Sequence, residues 1–179
     1  MPGTVFISRD NVDLVTIEEE DIEWMRDNIN DPNLRKTITA RYPVNMKQEK
    51  EFFENVVSER EEGVHLIIAK ENKRIVMISL FYINRDEGRA EIGIWITSSK
   101  QGKGHGTEAC EIITEYGFRE LRLHRIYARV LENNPASLKV FEKLGFVKEG
   151  NLRDHAFIDG DYQNMHVFGI LREEWRRSN

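Results

Sequence analysis

The chain has 179 residues, of which 40% are hydrophobic and 32% charged, a length and composition typical of a folded protein with one substantial core. Its 31 acidic and 26 basic side chains give a net charge of −5, which argues against a basic surface for nucleic acid. We expect a single domain over residues 1–179, because no repeat or low-complexity linker divides the sequence. The lone cysteine Cys110, the lack of a signal-like start and a longest apolar run of only residues 75–83 predict a cytoplasmic protein with no membrane partner.

The spacing of apolar residues divides the chain into eleven predicted elements. Alternating or continuous β-rich runs predict strands, whereas apolar residues three or four apart predict helices that bury one face. Thr16 and Glu19 are spaced as a capping box, and Asn45 is predicted to cap a second helix; residues 31–44 between these helices, with two prolines, are predicted to be a loop with some short helix. In chain order the predictions are a strand at 12–16, helices from 16 to about 28 and from 45 to 63, strands at 65–70, 75–83 and 89–96, a helix to about 118, a strand at 125–131, a helix at 135–144, and strands at 146–152 and 162–171, with turns at 71–73, 85–88 and 159–161.

Between the third of the central strands and the following helix lies a segment rich in glycine, residues 101–106. The start of a helix exposes backbone N–H groups at its positive end, and glycines let a phosphate approach them closely. The spacing of a P-loop is absent, and Thr107 stands where a dinucleotide-binding motif needs its last glycine. The segment therefore predicts either a different phosphate cradle or an ordinary turn.

Gln101, Gly104 and Gly106 match a Gln/Arg-x-x-Gly-x-Gly/Ala pattern, which resembles the pyrophosphate motif of the GNAT acetyltransferase superfamily. Residues 91–96 resemble the central strand of that family. Residues 134–137 with 141–146 resemble its second cofactor-contacting helix, and residues 152–162 resemble its closing hairpin. The chain is thus identified as similar to this superfamily, with the ribosomal-protein N-terminal acetyltransferases and the spermidine/diamine acetyltransferases as the nearest subgroups.

The resemblance implies an α/β (α+β) fold in which helices flank a mixed, splayed central sheet, in the order β-α-α-β-β-β-α-β-α-β-β. It implies acetyl-CoA as co-substrate, with the pantetheine arm between the parted strands and the pyrophosphate on the glycine segment. No metal is expected, since the five histidines lack ligand spacing. The cofactor contacts implied by the family motifs are Ile94, Trp95, Ile96, Gln101, Gly102, Lys103, Gly104, His105, Gly106, Thr107, Asn134, Ser137, Phe141 and Lys143.

The reaction implied by the resemblance requires an unprotonated amine. An alkylamine has a pKa near 10.4, so only about one molecule in 10³ is neutral at pH 7 and a base must remove a proton. Glu91, at the start of the central strand, is the predicted base; the alternatives are a solvent-facing residue or a partner of Arg89 or Arg125. A backbone N–H near Ile94 or Trp95 is the expected donor to the oxyanion.

The leaving thiolate lacks the proton donor that many relatives carry, because Phe141 stands where they have tyrosine. A thiol pKa near 8.5 makes the thiolate a fair leaving group without help. Ser137, a water or Tyr127 are the candidate substitutes, with Ser137 taken as the second catalytic residue.

The sequence therefore predicts an acetyl-CoA-dependent N-acetyltransferase that works by direct attack in a ternary complex. Two alternatives stay open: a non-catalytic acetyl-CoA sensor, supported by Phe141, and a cysteine acyltransferase using Cys110, which otherwise reads as a core residue. The acceptor is predicted to be a small-molecule amine, such as the polyamine spermidine, or a protein N-terminus, and a homodimer is a further expected partner. Six acidic side chains on the first two helices are candidates to attract a cationic acceptor: Glu18, Glu19, Glu20, Glu49, Glu51 and Glu54.

Overall fold

The computed structural model describes residues 3–9, 12–59, 63–70 and 73–178, which form one eight-stranded sheet with helices on both faces. The sheet order is β1-β2-β3-β4-β5-β6-β8-β7. This architecture confirms the mixed, splayed sheet implied by the resemblance. The strands are β1 (Val5–Arg9), β2 (Val12–Thr16), β3 (Val64–Lys70), β4 (Lys73–Asn84), β5 (Arg89–Ile96), β6 (Arg125–Leu131), β7 (Val147–Ile158) and β8 (Asp161–Leu171).

The sheet parts between β5 and β6. These two strands are parallel and pair only where residues 89–91 face residues 125–127, whereas all other neighbouring strands are antiparallel. β5 continues to Ile96 along β4, and β6 continues to Leu131 along β8. Past Glu91, the edge of β5 that faces β6 therefore carries backbone N–H and C=O groups with no strand to pair them.

Helices cover the two faces of the sheet, and the alternation of side chains in β3 separates two cores. Leu66 and Ile68 join the larger core, which contains the buried face of α4 and Phe141 of α5. Ile67 and Ala69 point the other way and pack with residues of α1 and α3. The helices are α1 (Ile22–Ile29), α2 (Pro32–Arg35), α3 (Met46–Phe52, continued by a π-helical turn at Phe53–Val57), α4 (His105–Arg119), α5 (Pro135–Lys143) and α6 (Arg172–Ser178).

The predicted elements are all present, with corrections at the ends. β1 and α6 were missed, because an exposed edge strand and a short terminal helix show little hydrophobic period. The capping box is formed by Glu18 and Asp21, since the Thr16 hydroxyl belongs to β2 and accepts a hydrogen bond from the Thr4 N–H. β7 runs on to Ile158, where its exposed, polar sequence is held by β8. The second helix ends near Val57; residues 60–62 and the turn residues 71–72 lie outside the described residues.

Candidate active site

A cavity of about 620 Å³ lies where the two strands part. Its floor is the face of β4 and β5 that bears Phe81, Glu91 and Trp95. α1, α3 and the segment 37–44 form the opposite wall, and α5 with β6 closes one end. Such a volume is in the range of small-molecule sites. Of the predicted site residues, the cavity brings together Glu91, Ile94, Trp95, Asn134, Ser137 and Phe141.

The glycine segment lies outside this cavity, beyond the end of β5. Gly102 and Gly104 have positive φ angles of 74° and 87°, which only glycine adopts without strain, and Gly104 is the N-cap of the 15-residue α4. The structure shows no side-chain cap on α4. The N–H groups of Thr107 and Glu108 donate to the Gly104 carbonyl, which leaves those of His105 and Gly106 ahead of the first intrahelical acceptor. The Gln101 side-chain amide donates to the Ile96 carbonyl over 3.3 Å and ties the segment to β5.

Gly106 has a different use, since a Cβ on it would lie 2.8 Å from Cδ1 of Ile96. Its lack of a side chain lets α4 pack closely on β5. The open edge of β5 and the uncapped start of α4 thus lie next to each other, one able to pair amides and the other able to hold phosphates. That combination fits the pantetheine and pyrophosphate of acetyl-CoA. Lys143 is exposed in the last turn of α5, outside the cavity, and its contact with a phosphate stays a prediction.

Glu91 is held by a partner that the sequence did not indicate. Its carboxylate is largely buried, with 13% of the side chain exposed, and Oε1 accepts from Nε of Arg129 over 2.9 Å. This contact raises the pKa of Arg129. The two expected alternative partners pair elsewhere, Arg89 with Glu87 and Arg125 with Glu149. Glu91 is therefore neither solvent-facing nor bound to the arginines considered from the sequence.

Among the candidate proton donors, Ser137 is the better placed. It lines the cavity in the first turn of α5, where its N–H donates to Oδ1 of Asn134 over 3.1 Å. Nδ2 of Asn134 in turn donates to the Thr37 carbonyl, which joins α5 to the cavity wall. Tyr127 does not line the cavity, and its pKa is raised by burial and by the nearby Glu91.

Phe141 fills the position of the missing tyrosine with a core side chain. Its ring is buried, packing edge-on against Phe146 at 5.1 Å and stacking on Phe168 at 6.2 Å. One edge reaches the cavity. The ring therefore shapes the site and supplies no proton.

The cysteine alternative is contradicted by the position of Cys110. The thiol is fully buried in the core face of α4 and does not line the cavity. Burial raises the pKa of the Cys110 thiol, so the reactive thiolate is disfavoured.

One functional candidate, Arg129, was missed from the sequence. Arg129 lies two residues after Tyr127, on the same face of β6, but only the β5–β6 register brings it to Glu91. Of the six acidic residues expected to attract a cationic acceptor, Glu49 is the one that lines this cavity. It precedes Phe52 and Phe53 by three and four residues, which places a carboxylate on the apolar face of α3.

A parted parallel strand pair with an uncapped helix start beside it defines a CoA-dependent acyltransferase fold. Comparison with known proteins makes this specific: a sequence model for the acetyltransferase (GNAT) domain matches residues 11–147. The chain belongs to the GNAT acetyltransferase family, and it is an N-acetyltransferase that uses acetyl-CoA as the acetyl donor.

Individual relatives agree with this assignment. The Bacillus subtilis (strain 168) protein named "Probable N-acetyltransferase YjcK" is 36% identical over 125 residues, 69% of each chain. The spermidine N(1)-acetyltransferase of Escherichia coli (strain K12) is 32% identical over 61% of this chain and 59% of its own length. The crystal structure of spermidine N-acetyltransferase from Vibrio cholerae, in complex with CoA and spermine, superposes with a TM-score of 0.87 at 25% identity, covering 94% of this chain and 99% of that one. Within the described part of this chain, no helix has the length and apolar character needed to cross a membrane.

Proposed function

We propose that the acceptor is a polyamine such as spermidine, and that the acetyl group passes to it directly in a ternary complex. The observation that carries the proposal is that Glu91 presents a carboxylate to the cavity beside the open edge of β5. Several of the similar proteins are named as spermidine N-acetyltransferases, which supports a small cationic acceptor. A protein N-terminus is the second candidate, since the sequence also resembles the ribosomal-protein N-terminal acetyltransferases.

Glu91 is the proposed base. An acceptor ammonium drawn to Glu91 loses a proton to it, directly or through one water, and the freed lone pair attacks the thioester carbonyl carbon. The attack forms the C–N bond and a tetrahedral oxyanion, whose collapse breaks the C–S bond. The nitrogen releases its second proton and the thiolate takes one up, relayed through Ser137 or through water. Arg129 bonds Oε1 of Glu91 and holds the carboxylate in place at the cavity wall, where it would meet the amine.

The unpaired edge of β5 is the proposed donor to the oxyanion. Backbone N–H groups near Ile94 and Trp95 are fixed by the pairing of β5 with β4, so they need no reorganisation during the reaction. Acetyl-CoA supplies the activated acetyl group. The contacts proposed for it are the β5 edge, the 101–107 segment and the start of α5.

An acceptor panel tests the proposal. Purified protein is incubated with acetyl-CoA and spermidine, 1,4-diaminobutane, 1-aminobutane or short peptides with free N-termini, and thiol release is followed. We expect the highest kcat/KM with spermidine. Turnover of peptides alone would favour the N-terminal alternative, and binding of acetyl-CoA without turnover of any amine would favour the sensor.

A further inference from the structure

The cavity contains a second carboxylate, Glu49, that the proposed transfer does not use. Glu49 belongs to α3, whose start is fixed by a capping box between Asn45 and Gln48. Only 6% of Glu49 is exposed, and the residue lines the cavity. Its neighbours along the wall are mostly apolar and aromatic: Met25, Phe52, Met77, Phe81 and Trp95.

This carboxylate has no counter-charge of its own. Among the described residues, no hydrogen bond or ion pair satisfies the Glu49 side chain, and burial raises the pKa of its carboxyl. The one cationic side chain that lines the described cavity, Arg129, is engaged with Glu91. His65 lies nearby against Phe52, but burial lowers its pKa to about 4, so it is neutral at pH 7.

An unpaired buried carboxylate is costly, and the fold gains little from it. The position in the first turn of α3 is worth roughly 0.3–1 kcal/mol through the helix dipole. Leaving a charge buried without a partner costs several kcal/mol. Glutamine or leucine has a similar helix propensity and would avoid the free-energy cost of a buried charge, so stability alone does not account for Glu49.

We infer that Glu49 binds a second ammonium group of the acceptor, on the helical wall of the cavity, while Glu91 on the sheet meets the amine that is acetylated. The inference rests on the proposed function and narrows it to acceptors with two amines. An ammonium at Glu49 also meets the faces of aromatic rings, which attract cations. A monoamine bound at Glu91 has no second ammonium group to pair with Glu49, so Glu49 adds nothing to its affinity.

The test compares Glu49→Gln with the wild type on spermidine, 1,4-diaminobutane and the matched monoamine 1-aminobutane. Loss of one charge-assisted hydrogen bond is worth roughly 1.5–3 kcal/mol, so kcat/KM for the diamine and spermidine should fall about 10–100-fold. The effect should lie mainly in KM. The values for 1-aminobutane and for acetyl-CoA should change less than about twofold.

Glu23→Gln is the matched control, because it removes the same charge from α1, where the side chain is 73% exposed. It should leave all four substrates unaffected. Equal losses on monoamine and diamine in Glu49→Gln, or no loss on either, would overturn the inference while leaving the transfer reaction intact. A wild type that handles 1-aminobutane as well as 1,4-diaminobutane would also overturn it.

Failure of the proposed function has a different signature: the wild type would acetylate peptides or monoamines and no polyamine, and the role of Glu49 would fall with it. If Glu49→Gln does not fold, Glu49→Asp decides. It keeps the charge one methylene further back, so it should retain a preference for the diamine over the monoamine. Loss of that preference in a folded Glu49→Asp variant would overturn the charge contact at this position.

Discussion

Glu91 performs its proposed role while bonded to Arg129, and this pairing has two consequences. The guanidinium bonds one carboxylate oxygen and so restricts the orientation of the carboxylate, which lines the cavity. It also offsets the carboxylate charge, because Arg129 lines the same cavity. Removing the carboxylate therefore does two things at once: it removes a base and leaves a cation facing a cationic acceptor.

We predict that Glu91→Gln lowers kcat at pH 7 by roughly 10²–10⁴, the usual worth of general base catalysis. KM for the amine should also rise, since the unpaired Arg129 repels it, while KM for acetyl-CoA stays the same. Raising the pH should recover much of kcat, because the neutral fraction of the amine grows tenfold per pH unit below its pKa near 10.4. Steady-state kinetics from pH 6 to 9 measure all three effects.

Glu87→Gln is the control for that experiment. Glu87 is an exposed carboxylate in the turn before β5 and pairs with Arg89. Its replacement also removes a glutamate bound to an arginine, but at a position outside the cavity. Unchanged turnover of Glu91→Gln over the whole pH range would remove Glu91 from the mechanism.

At the scale of elements, the loop between β5 and α4 separates cofactor binding from acceptor binding. Gly104 has a φ of 87°, and a Cβ built there meets no atom within 4 Å. A side chain at position 104 would therefore strain the backbone and collide with a phosphate bound to the α4 amides, but it would not collide with other protein atoms. Strain of this kind costs roughly 1–2 kcal/mol per residue.

We predict that Gly104→Val raises KM for acetyl-CoA by about tenfold or more and leaves KM for the amine within about twofold. Gly160→Val is the matched control: Gly160 has a φ of 94° and is equally open, but it lies in the β7–β8 turn. Both variants should lose similar stability in thermal unfolding. Equal changes in the two Michaelis constants of Gly104→Val would mean that the loop has only a structural role.

The sequence predicted best those elements whose periodicity is strong. β6 at residues 125–131 and β5 at 89–96 were placed correctly, because both are apolar on at least one face and are bounded by turns. The path of β7 was not predictable to its end, since its outer half is polar and depends on β8 for its pairing. The Glu91–Arg129 contact required the register of two strands separated by the whole of α4, which local patterns do not encode.

Across the whole molecule, the parting of β5 and β6 determines where the ligands meet. A sheet paired along its full length would satisfy its own backbone and leave no edge for an amide-bearing substrate. The glycine segment and the capped start of α5 were predictable from motifs, and acidic residues of the first two helices were expected near the acceptor. The part of the cavity wall formed by residues 37–44 was not predictable. The single-domain extent, the homodimer and the cytoplasmic location stay predictions, as do the individual roles of the site residues.

The dependence of stability on pH below 6.5 tests the burial of His65 and Glu49, because folding shifts the pKa values of these two groups in opposite directions. His65 is buried against Ser79, whose hydroxyl lies 2.9 Å from Nδ1, and its pKa is lowered to about 4 from a usual 6.5. Above pH 6.5 both folded and unfolded states hold this histidine neutral. As the pH falls from 6.5 towards 4, the unfolded state binds a proton that the folded state refuses, so stability falls by up to about 1.4 kcal/mol per pH unit. Glu49 acts in the opposite sense, because its raised pKa lets the folded state take up a proton before the unfolded state does.

We therefore predict that His65→Gln, which keeps a hydrogen-bonding side chain beside Ser79 but does not titrate, flattens the decline of unfolding free energy between pH 6.5 and 4. Glu49→Gln should steepen the same decline, since it removes the group that offsets His65. Urea unfolding at closely spaced pH values measures both slopes, and each variant serves as the control for the other. Because the two changes act on the slope and not on stability at pH 7, a loss of packing alone would shift the curves without altering their shape. If the curves of both variants run parallel to that of the wild type, then folding shifts the pKa of neither His65 nor Glu49, and the prediction is wrong.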